Sequence, residues 1–107
     1  MFNVLWWLLA GHFFGDYVFQ NDFLARSKNH KNPLPGIPWF WSLLAHSVVH
    51  GSLVLLVTGS LRLASYETIT HLVIDFHKSN EDIGFHTDQA LHIFCKLIWF
   101  VMNMFDL

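Results

Sequence analysis

The chain has 107 residues, of which 53% are hydrophobic, 17% are aromatic and only 13% are charged. Ordinary globular domains carry roughly 25% charged residues, and disordered chains are charge-rich, so this composition excludes a disordered protein. The formal net charge of -2 excludes a basic protein that tracks nucleic-acid phosphates, so no nucleic-acid partner is expected. The single cysteine excludes an internal disulfide framework. Eight histidines stand out in so apolar a chain.

Four apolar stretches predict helices over residues 2–24, 39–57, 61–77 and 86–106. The first two reach the roughly 20 residues that a bilayer-spanning helix needs, the fourth nearly does, and the third is amphipathic. Apolar residues cover almost the whole circumference of the first helix, and so short a chain cannot bury several such helices in water. We therefore predict an all-α fold, a four-helix transmembrane bundle in a single domain of residues 1–107. The alternative is a water-soluble four-helix bundle that oligomerises.

The predicted linkers are short, which favours an up-down-up-down bundle. Linker 26–38 carries Arg26, Lys28 and Lys31 together with three prolines. The positive-inside rule places this linker in the cytoplasm and both termini outside, in a bacterial inner membrane. No positively charged N-terminal region or small-residue cleavage site accompanies the first helix, so no cleavable signal peptide is expected.

Each predicted helix carries two metal-ligand side chains four positions apart. Residues at this spacing share one face of a helix, and ionisable groups in membrane helices normally face the bundle interior. A single buried histidine is usually a hydrogen-bonded core residue, but one pair on each of four helices favours a metal site. The pairs are His12 and Asp16, His46 and His50, His71 and Asp75, and Asp88 and His92.

Counting from the linkers predicts that the four pairs meet towards one end of an antiparallel bundle. One layer, nearer the first and third linkers, would contain Asp16, His46, Asp75 and Asp88. The second layer, about one helical pitch (roughly 5.4 Å) deeper, would contain His12, His50, His71 and His92. Together these five imidazoles and three carboxylates suit two first-row divalent ions; zinc is the expected metal, with iron, manganese or copper as alternatives.

Four further polar residues are predicted to support this site. Gln20 and Gln89 would orient a ligand or hold a substrate oxygen, although either is equally explained as an interfacial polar residue. Glu67 and Lys96 fall at the same depth and are predicted to pair, because unpaired charges there would be costly. Gly15 would allow a neighbouring helix or a ligand to approach closely.

Residues 12–16, with the letters H-F-F-G-D, resemble the H-Y-x-G-D core of the zinc-dependent phospholipase C and nuclease superfamily. In that superfamily the first His and the Asp one turn later ligate zinc; the Pro and second His that usually follow are absent here. Over nearly its full length, the chain resembles a family of small bacterial and phage integral-membrane proteins of unknown function. It is also similar to predicted membrane-bound metal-dependent hydrolases. The family's four motifs, H-x-x-G-D-x-x-x-Q, H-x-x-x-H, H-x-x-x-D and D-Q-x-x-H, correspond to residues 12–20, 46–50, 71–75 and 88–92.

These residues predict a membrane-embedded metal-dependent hydrolase that acts on a lipid headgroup or phosphoester. Two close ions lower the pKa of a bound water and clamp a phosphoryl or acyl oxygen. Asp16, Asp75 or Asp88 would bridge the ions, and one of the three that is not a ligand would act as general base. The expected partners are the lipid bilayer and the substrate, with self-association left open.

Two other functions stay open. Paired histidines across membrane helices also bind b-type haem in redox proteins, although three carboxylates among the ligands argue against haem. The chain would otherwise be a phage-encoded membrane interaction factor, in which metal ions only stabilise the fold.

Overall fold

A computed structural model describes residues 2–107, and these residues form helices joined by loops, with no strand among them. The elements are α1 (Phe2–Phe13), a π-helical turn (Phe14–Val18), α2 (Asp22–Ser27), α3 (Trp39–Thr58), α4 (Leu61–Ser79) and α5 (Phe85–Met104). The four long helices pack around a common axis in the cyclic order α1, α3, α4, α5, and the fold measures 45 × 23 × 22 Å.

The first predicted helix, 2–24, is wrong in its second half. After α1 the backbone widens into the π-helical turn, in which the amide of Phe19 donates to the carbonyl of Phe14 at 2.8 Å. The helix then stops, because Asn21 adopts an extended conformation and its side chain accepts from the amide of Leu24 at 2.7 Å, which starts α2. Part of the predicted linker 26–38 is therefore helical, whereas the other three helices match their predicted ranges within two residues at each end.

The connection between α3 and α4 shows why the long helices alternate in direction. α3 ends at Gly59, whose φ of 70° is the left-handed conformation that glycine adopts without strain. Ser60 follows at once and caps α4 by accepting from the amide of Leu63 at 3.1 Å. Two residues thus reverse the chain and place α3 antiparallel to α4.

One helix of the described chain, α3, is long and apolar enough to cross a membrane, with a mean hydropathy of 1.7 over its most apolar window. The prediction of an all-helical bundle is confirmed, but the prediction of four membrane-spanning helices is not supported by length and composition. α1 has only 12 residues before the π-helical turn, and α4 carries Arg62, Glu67 and Asp75.

Polar residues fill most of the bundle interior. The small apolar core, formed by Leu8, Val54, Leu63 and Trp99, lies at the end of the bundle where α3 turns into α4. Within residues 2–107, six hydrophobic residues are buried against twelve polar or charged ones, which reverses the usual arrangement of a water-soluble domain. The polar residues occupy the opposite end, beneath the loops that follow α2 and α4.

Candidate metal centre

The structure brings all eight predicted metal ligands together in one cluster inside the bundle. Each of the four long helices or its π-helical extension contributes one pair. Seven of the eight residues are buried, with exposed fractions of 5% or less, and Asp16 is half-buried. The cluster residues are His12, Asp16, His46, His50, His71, Asp75, Asp88 and His92.

Three histidine nitrogens surround one oxygen of Asp16. Oδ1 of Asp16 lies 2.9 Å from Nε2 of His50, 3.3 Å from Nε2 of His46 and 3.9 Å from Nε2 of His71. The ligand atoms of these four residues all lie within 4.8 Å of one another. Three imidazoles and a carboxylate at this separation form a set that zinc or another first-row ion prefers.

Asp75 connects this first group to a second one. Its Oδ2 lies 3.3 Å from Nε2 of His46 and 3.4 Å from Nε2 of His71, whereas its Oδ1 lies 3.0 Å from Nε2 of His92. His92 is in turn 3.4 Å from Oδ1 of Asp88, and these three residues form the second group. The two oxygens of Asp75 therefore face two different sets of ligands.

Asp16 also turns its two oxygens towards different sets of side chains. While its Oδ1 faces the first group, its Oδ2 lies 3.5 Å from Nε2 of His12 and accepts a hydrogen bond from the Gln89 amide at 3.1 Å. A carboxylate whose two oxygens point to different ligand sets is the arrangement that bridges two ions in carboxylate-bridged bundles.

Four imidazole rings contact one another in a closed ring. Ring centroids are 3.7 Å apart for His50 and His71, and 4.1 Å apart for His71 and His92. The ring closes through His12, which is 5.2 Å from His92 and 5.5 Å from His50. His46, predicted to lie in the other layer, contacts the ring from one side, 4.7 Å from His50.

Several buried atoms of the cluster make no hydrogen bond within residues 2–107. Nε2 of His46, Nε2 of His71 and Oδ1 of Asp88 are all of this kind. A buried polar atom without a partner is costly, and such atoms are rare in native proteins. The two imidazole nitrogens lie beside carboxylate oxygens of Asp16 and Asp75, so a cation placed there would satisfy both of them. The residues present therefore fit a metal centre.

The predicted ion pair of Glu67 and Lys96 is present and supports the cluster from below. Oε1 of Glu67 accepts from Nζ of Lys96 at 2.7 Å and from the indole N–H of Trp99 at 2.8 Å. Oε2 of Glu67 lies 3.1 Å from Nδ1 of His71. In this contact Nδ1 of His71 carries the proton and donates to Glu67, which leaves Nε2 of His71 free to bind a metal. The hydrogen bond from Trp99 was not predicted from the sequence.

The two predicted glutamines differ in their contacts. The Gln89 side chain accepts from Nε2 of His12 at 3.0 Å and donates to Oδ2 of Asp88 at 3.1 Å, in addition to its bond to Asp16. It therefore orients three cluster residues at once. Gln20 makes one weak hydrogen bond, to the backbone carbonyl of Asp16 at 3.4 Å, and lies at the edge of the site.

Gly15 is required by the close approach of His50. A Cβ atom on Gly15 would overlap the His50 imidazole ring, because the π-helical turn packs directly against it. The predicted close approach at Gly15 is thus to a metal-ligand candidate. Single π-helical turns within helices occur often at functional sites, and this one carries both Gly15 and Asp16.

Lys28 also reaches the cluster, although from the sequence it was predicted only to contribute positive charge to linker 26–38. Its Nζ lies 2.8 Å from Oδ2 of Asp75. The loop after α2 is held against α4 by His30, whose ring stacks on Phe76 with centroids 4.0 Å apart and whose Nε2 lies 3.3 Å from Oδ1 of Asn80. No spacing rule links Lys28 to Asp75, because the contact depends on this folded loop.

A cavity of about 80 Å³ opens above the cluster at the loop end of the bundle. Asp16, Asp75 and Asp88 line its floor, and both lysines that line it come from outside the predicted ligand set. This cavity therefore gives access to the three carboxylates of the cluster. Its lining residues are Asp16, Tyr17, Gln20, Lys28, Asp75, Lys78, Phe85, Asp88 and Gln89.

An exposed His–Asp pair outside the cluster offers a contrast with the buried ligands. Nδ1 of His77 lies 2.8 Å from Oδ2 of Asp82, in the loop after α4. Hydrogen bonds from Asn80 and His77 lower the pKa of Asp82 below its ordinary value. His77 is not part of the cluster, so its loss is a suitable control for the loss of a cluster histidine.

Comparison with known proteins identifies the family of the chain. A family model described as "Protein of unknown function (DUF3307)" matches residues 4–106. No curated protein and no solved structure matches the chain. The predicted resemblance to a family of unknown function is confirmed, while its four motifs and the likeness to hydrolases stay predictions.

Proposed function

Because the chain belongs to the DUF3307 family of proteins of unknown function, we propose a function from its own residues: a membrane-embedded, metal-dependent hydrolase of phosphoesters. The observation that carries this proposal is the pair of carboxylates, Asp16 and Asp75, each of which turns its two oxygens towards different imidazole nitrogens. Such a pair suits two divalent ions a short distance apart, the arrangement used in many phosphoester hydrolases.

The charge of the cluster favours divalent cations. Its three carboxylates are opposed by one ammonium group, that of Lys28, because Lys96 is neutralised by Glu67. With neutral imidazoles the cluster carries two uncompensated negative charges, which are costly inside a protein. Two divalent ions would reverse this to a surplus of two positive charges. A site with that surplus would attract an anionic substrate such as a phosphate ester.

The ligands divide between the two ions according to the distances. One ion would be held by His46, His50 and His71. The other would be held by His92, with His12 as the nearest further imidazole. Both would share the bridging carboxylates. Imidazole and carboxylate ligands favour zinc, with iron or manganese as alternatives, and the ions would supply positive charge that acidifies a water molecule and polarises the phosphoryl group.

Asp88 is the residue we assign as general base. Of the three carboxylates it contacts one group only, through His92, and its Oδ1 makes no hydrogen bond within residues 2–107. Gln89 holds its other oxygen, and the side chain lines the cavity. It can therefore accept a proton from an attacking water without leaving its position.

The haem alternative fits the geometry poorly. The rings of His50, His71 and His92 contact one another directly, with neighbouring centroids 3.7 and 4.1 Å apart. A porphyrin between two axial histidines would have to separate such rings. The carboxylates among them favour hard or borderline divalent ions instead.

Membrane embedding is proposed from the surface of the bundle. Large apolar side chains are exposed on every long helix, while the interior is polar. The 45 Å length of the fold is close to the roughly 40–45 Å of a bilayer with its headgroup regions. We infer that lipid covers these faces, with linker 26–38 on the cytoplasmic side of a bacterial inner membrane. Examples on the four helices are Trp6, Leu56, Ile69 and Phe94.

The decisive experiment is elemental analysis of detergent-purified protein alongside two variants. The wild type should hold about two divalent ions per chain, and His71→Ala should lose most of this metal. His77→Ala removes an exposed histidine that also contacts an aspartate, and it should keep the wild-type metal content. Equal metal content in all three proteins, or none in the wild type, would refute the metal centre.

Two further measurements test the remaining parts of the proposal. Metal-loaded protein should hydrolyse a phosphoester such as p-nitrophenyl phosphate, and a chelator should stop the reaction. Metal binding without any turnover would reject the hydrolase and leave a structural metal site. The chain should also remain in the membrane pellet after an alkaline wash, and release into the supernatant would contradict embedding.

A further inference from the structure

The mouth of the cavity carries two lysines that the metal centre does not need. Lys28 is largely buried, whereas Lys78 is exposed and its Nζ lies 5.6 Å from the ring centroid of Phe85. The two side chains come from different elements, the C-cap of α2 and the last turn of α4, and both line the same cavity. Paired ammonium groups above a polar floor are typical of a site for an anionic oxygen-rich group.

Lys28 is placed to change partner when metal binds. Its ammonium contacts Oδ2 of Asp75, the oxygen that faces His46 and His71. A metal ion at that oxygen would repel the ammonium, since both are cations. The side chain would then stay in the cavity with a free charge directed at a bound substrate.

Charge restricts what the lysines can bind. Two ammonium groups line this cavity of about 80 Å³, and two bound ions would add a positive surplus beneath them. Such a site favours a doubly charged anion over a singly charged one. A phosphomonoester carries close to two negative charges at neutral pH, whereas a phosphodiester carries one, so the site favours a phosphomonoester.

An apolar groove begins where the cavity ends. Ala10, Phe13, Phe14, Tyr17 and Val18 line a groove of about 340 Å³ on the outer face of α1 and the π-helical turn. Tyr17 lines both the groove and the cavity. A molecule with a phosphate in the cavity would therefore have its adjoining chain directed along the groove.

We propose that the substrate is a lipid phosphomonoester, with its phosphate bound by Lys28 and Lys78 and one hydrocarbon chain in the groove beside Tyr17. This inference rests on the proposed hydrolase function. Water attacks phosphorus, Asp88 takes the proton, and the bond between phosphorus and the lipid oxygen breaks. The leaving oxygen receives that proton, so the products are a lipid alcohol and inorganic phosphate.

The test compares two substrates that share a leaving group. Dioctanoyl phosphatidic acid and glycerol 3-phosphate both release phosphate from glycerol, but only the first carries acyl chains. Metal-loaded protein in detergent should show a kcat/KM about 100-fold higher for the lipid, because burying a few methylene groups contributes binding. Val18→Asp, which places a charge in the groove, should reduce this preference about 10-fold.

Lysine variants test the phosphate site, with metal content measured for each. Lys78→Ala should raise KM for phosphatidic acid about 10-fold at unchanged metal content, as expected for loss of one charge-assisted contact. Lys31→Ala removes an exposed lysine of linker 26–38 that does not line the cavity, and should behave as wild type. Lys28→Ala should also raise KM while the bound metal is retained.

The outcomes separate this inference from the proposed function. Equal kcat/KM for both substrates, or a Lys78→Ala variant that matches Lys31→Ala, would overturn the lipid phosphate assignment while leaving the hydrolase in place. A preference for a phosphodiester lipid such as phosphatidylglycerol would overturn the choice of a terminal phosphate. Failure of the metal-loaded protein to hydrolyse any of the three would reject the hydrolase itself.

Discussion

Replacing Glu67 by glutamine should affect both stability and metal binding. The carboxylate is fully buried and contacts three groups: Lys96 at 2.7 Å, Trp99 at 2.8 Å and His71 at 3.1 Å. Glutamine keeps the size of the side chain but removes its charge. The Lys96 ammonium, which is 1% exposed, then has no counter-ion.

The expected magnitude follows from these contacts. Breaking a buried ion pair by removing one partner costs about 3–5 kcal/mol, because the remaining charge is left uncompensated. Replacing both partners with apolar residues of similar size is much less costly. The double variant Glu67→Leu with Lys96→Met should therefore be more stable than Glu67→Gln. Its His71 still lacks a carboxylate at Nδ1, so metal affinity should remain about 10–100-fold below wild type.

Two assays separate these effects. Unfolding in a denaturing detergent gives the free energy of unfolding for the wild type, Glu67→Leu, Lys96→Met and the double variant, which form a double-mutant cycle, and for Glu67→Gln. A chelating dye gives the metal Kd for the same proteins. If the double variant bound metal as tightly as wild type, Glu67 would not orient His71. If Glu67→Gln were as stable as wild type, the pair would be unimportant for folding.

Four further variants give distinct results. Gly15→Ala should destabilise the protein by about 1–3 kcal/mol and weaken metal binding, because its methyl group would displace the His50 ring, as unfolding and dye titration will show. Asp75→Asn should lose metal, whereas Asp88→Asn should keep most of it yet lose turnover by about 100-fold or more, as elemental analysis and kinetics will show. Asp82→Asn should lower the melting temperature at neutral pH but not at strongly acidic pH. The pKa of Asp82 is lower in the folded protein than in the unfolded chain, so the carboxylate stabilises the fold above the unfolded-state pKa. This stabilisation disappears as the pH falls through the folded-state pKa.

The convergence of the cluster was predictable because each pair obeys helical spacing and each lies at a similar distance from a linker. His71 and Asp75, for example, share one face of α4, and the two-residue turn at Gly59 fixes the direction of α3 against it. The features that were not predicted, the early end of the first helix and the contacts of the loops, depend on local hydrogen bonds. The Asn21 cap interrupted an apolar run that looked helical, because a side-chain cap competes with helix continuation. Contacts made by folded loops, such as Lys28 with Asp75, have no period to reveal them.

The two ends of the bundle have different physical requirements, which explains their different composition. At the turn between α3 and α4, Leu8, Val54, Leu63 and Trp99 pack into the apolar core and fix the helices relative to one another. At the other end, polar residues replace that core, so packing alone cannot hold the helices together there. Trp99 joins the two ends, because its ring lies in the core while its N–H binds Glu67 beneath His71. The apolar end thus sets the spacing of the imidazoles, and the bound ions would supply the cohesion that the polar end lacks.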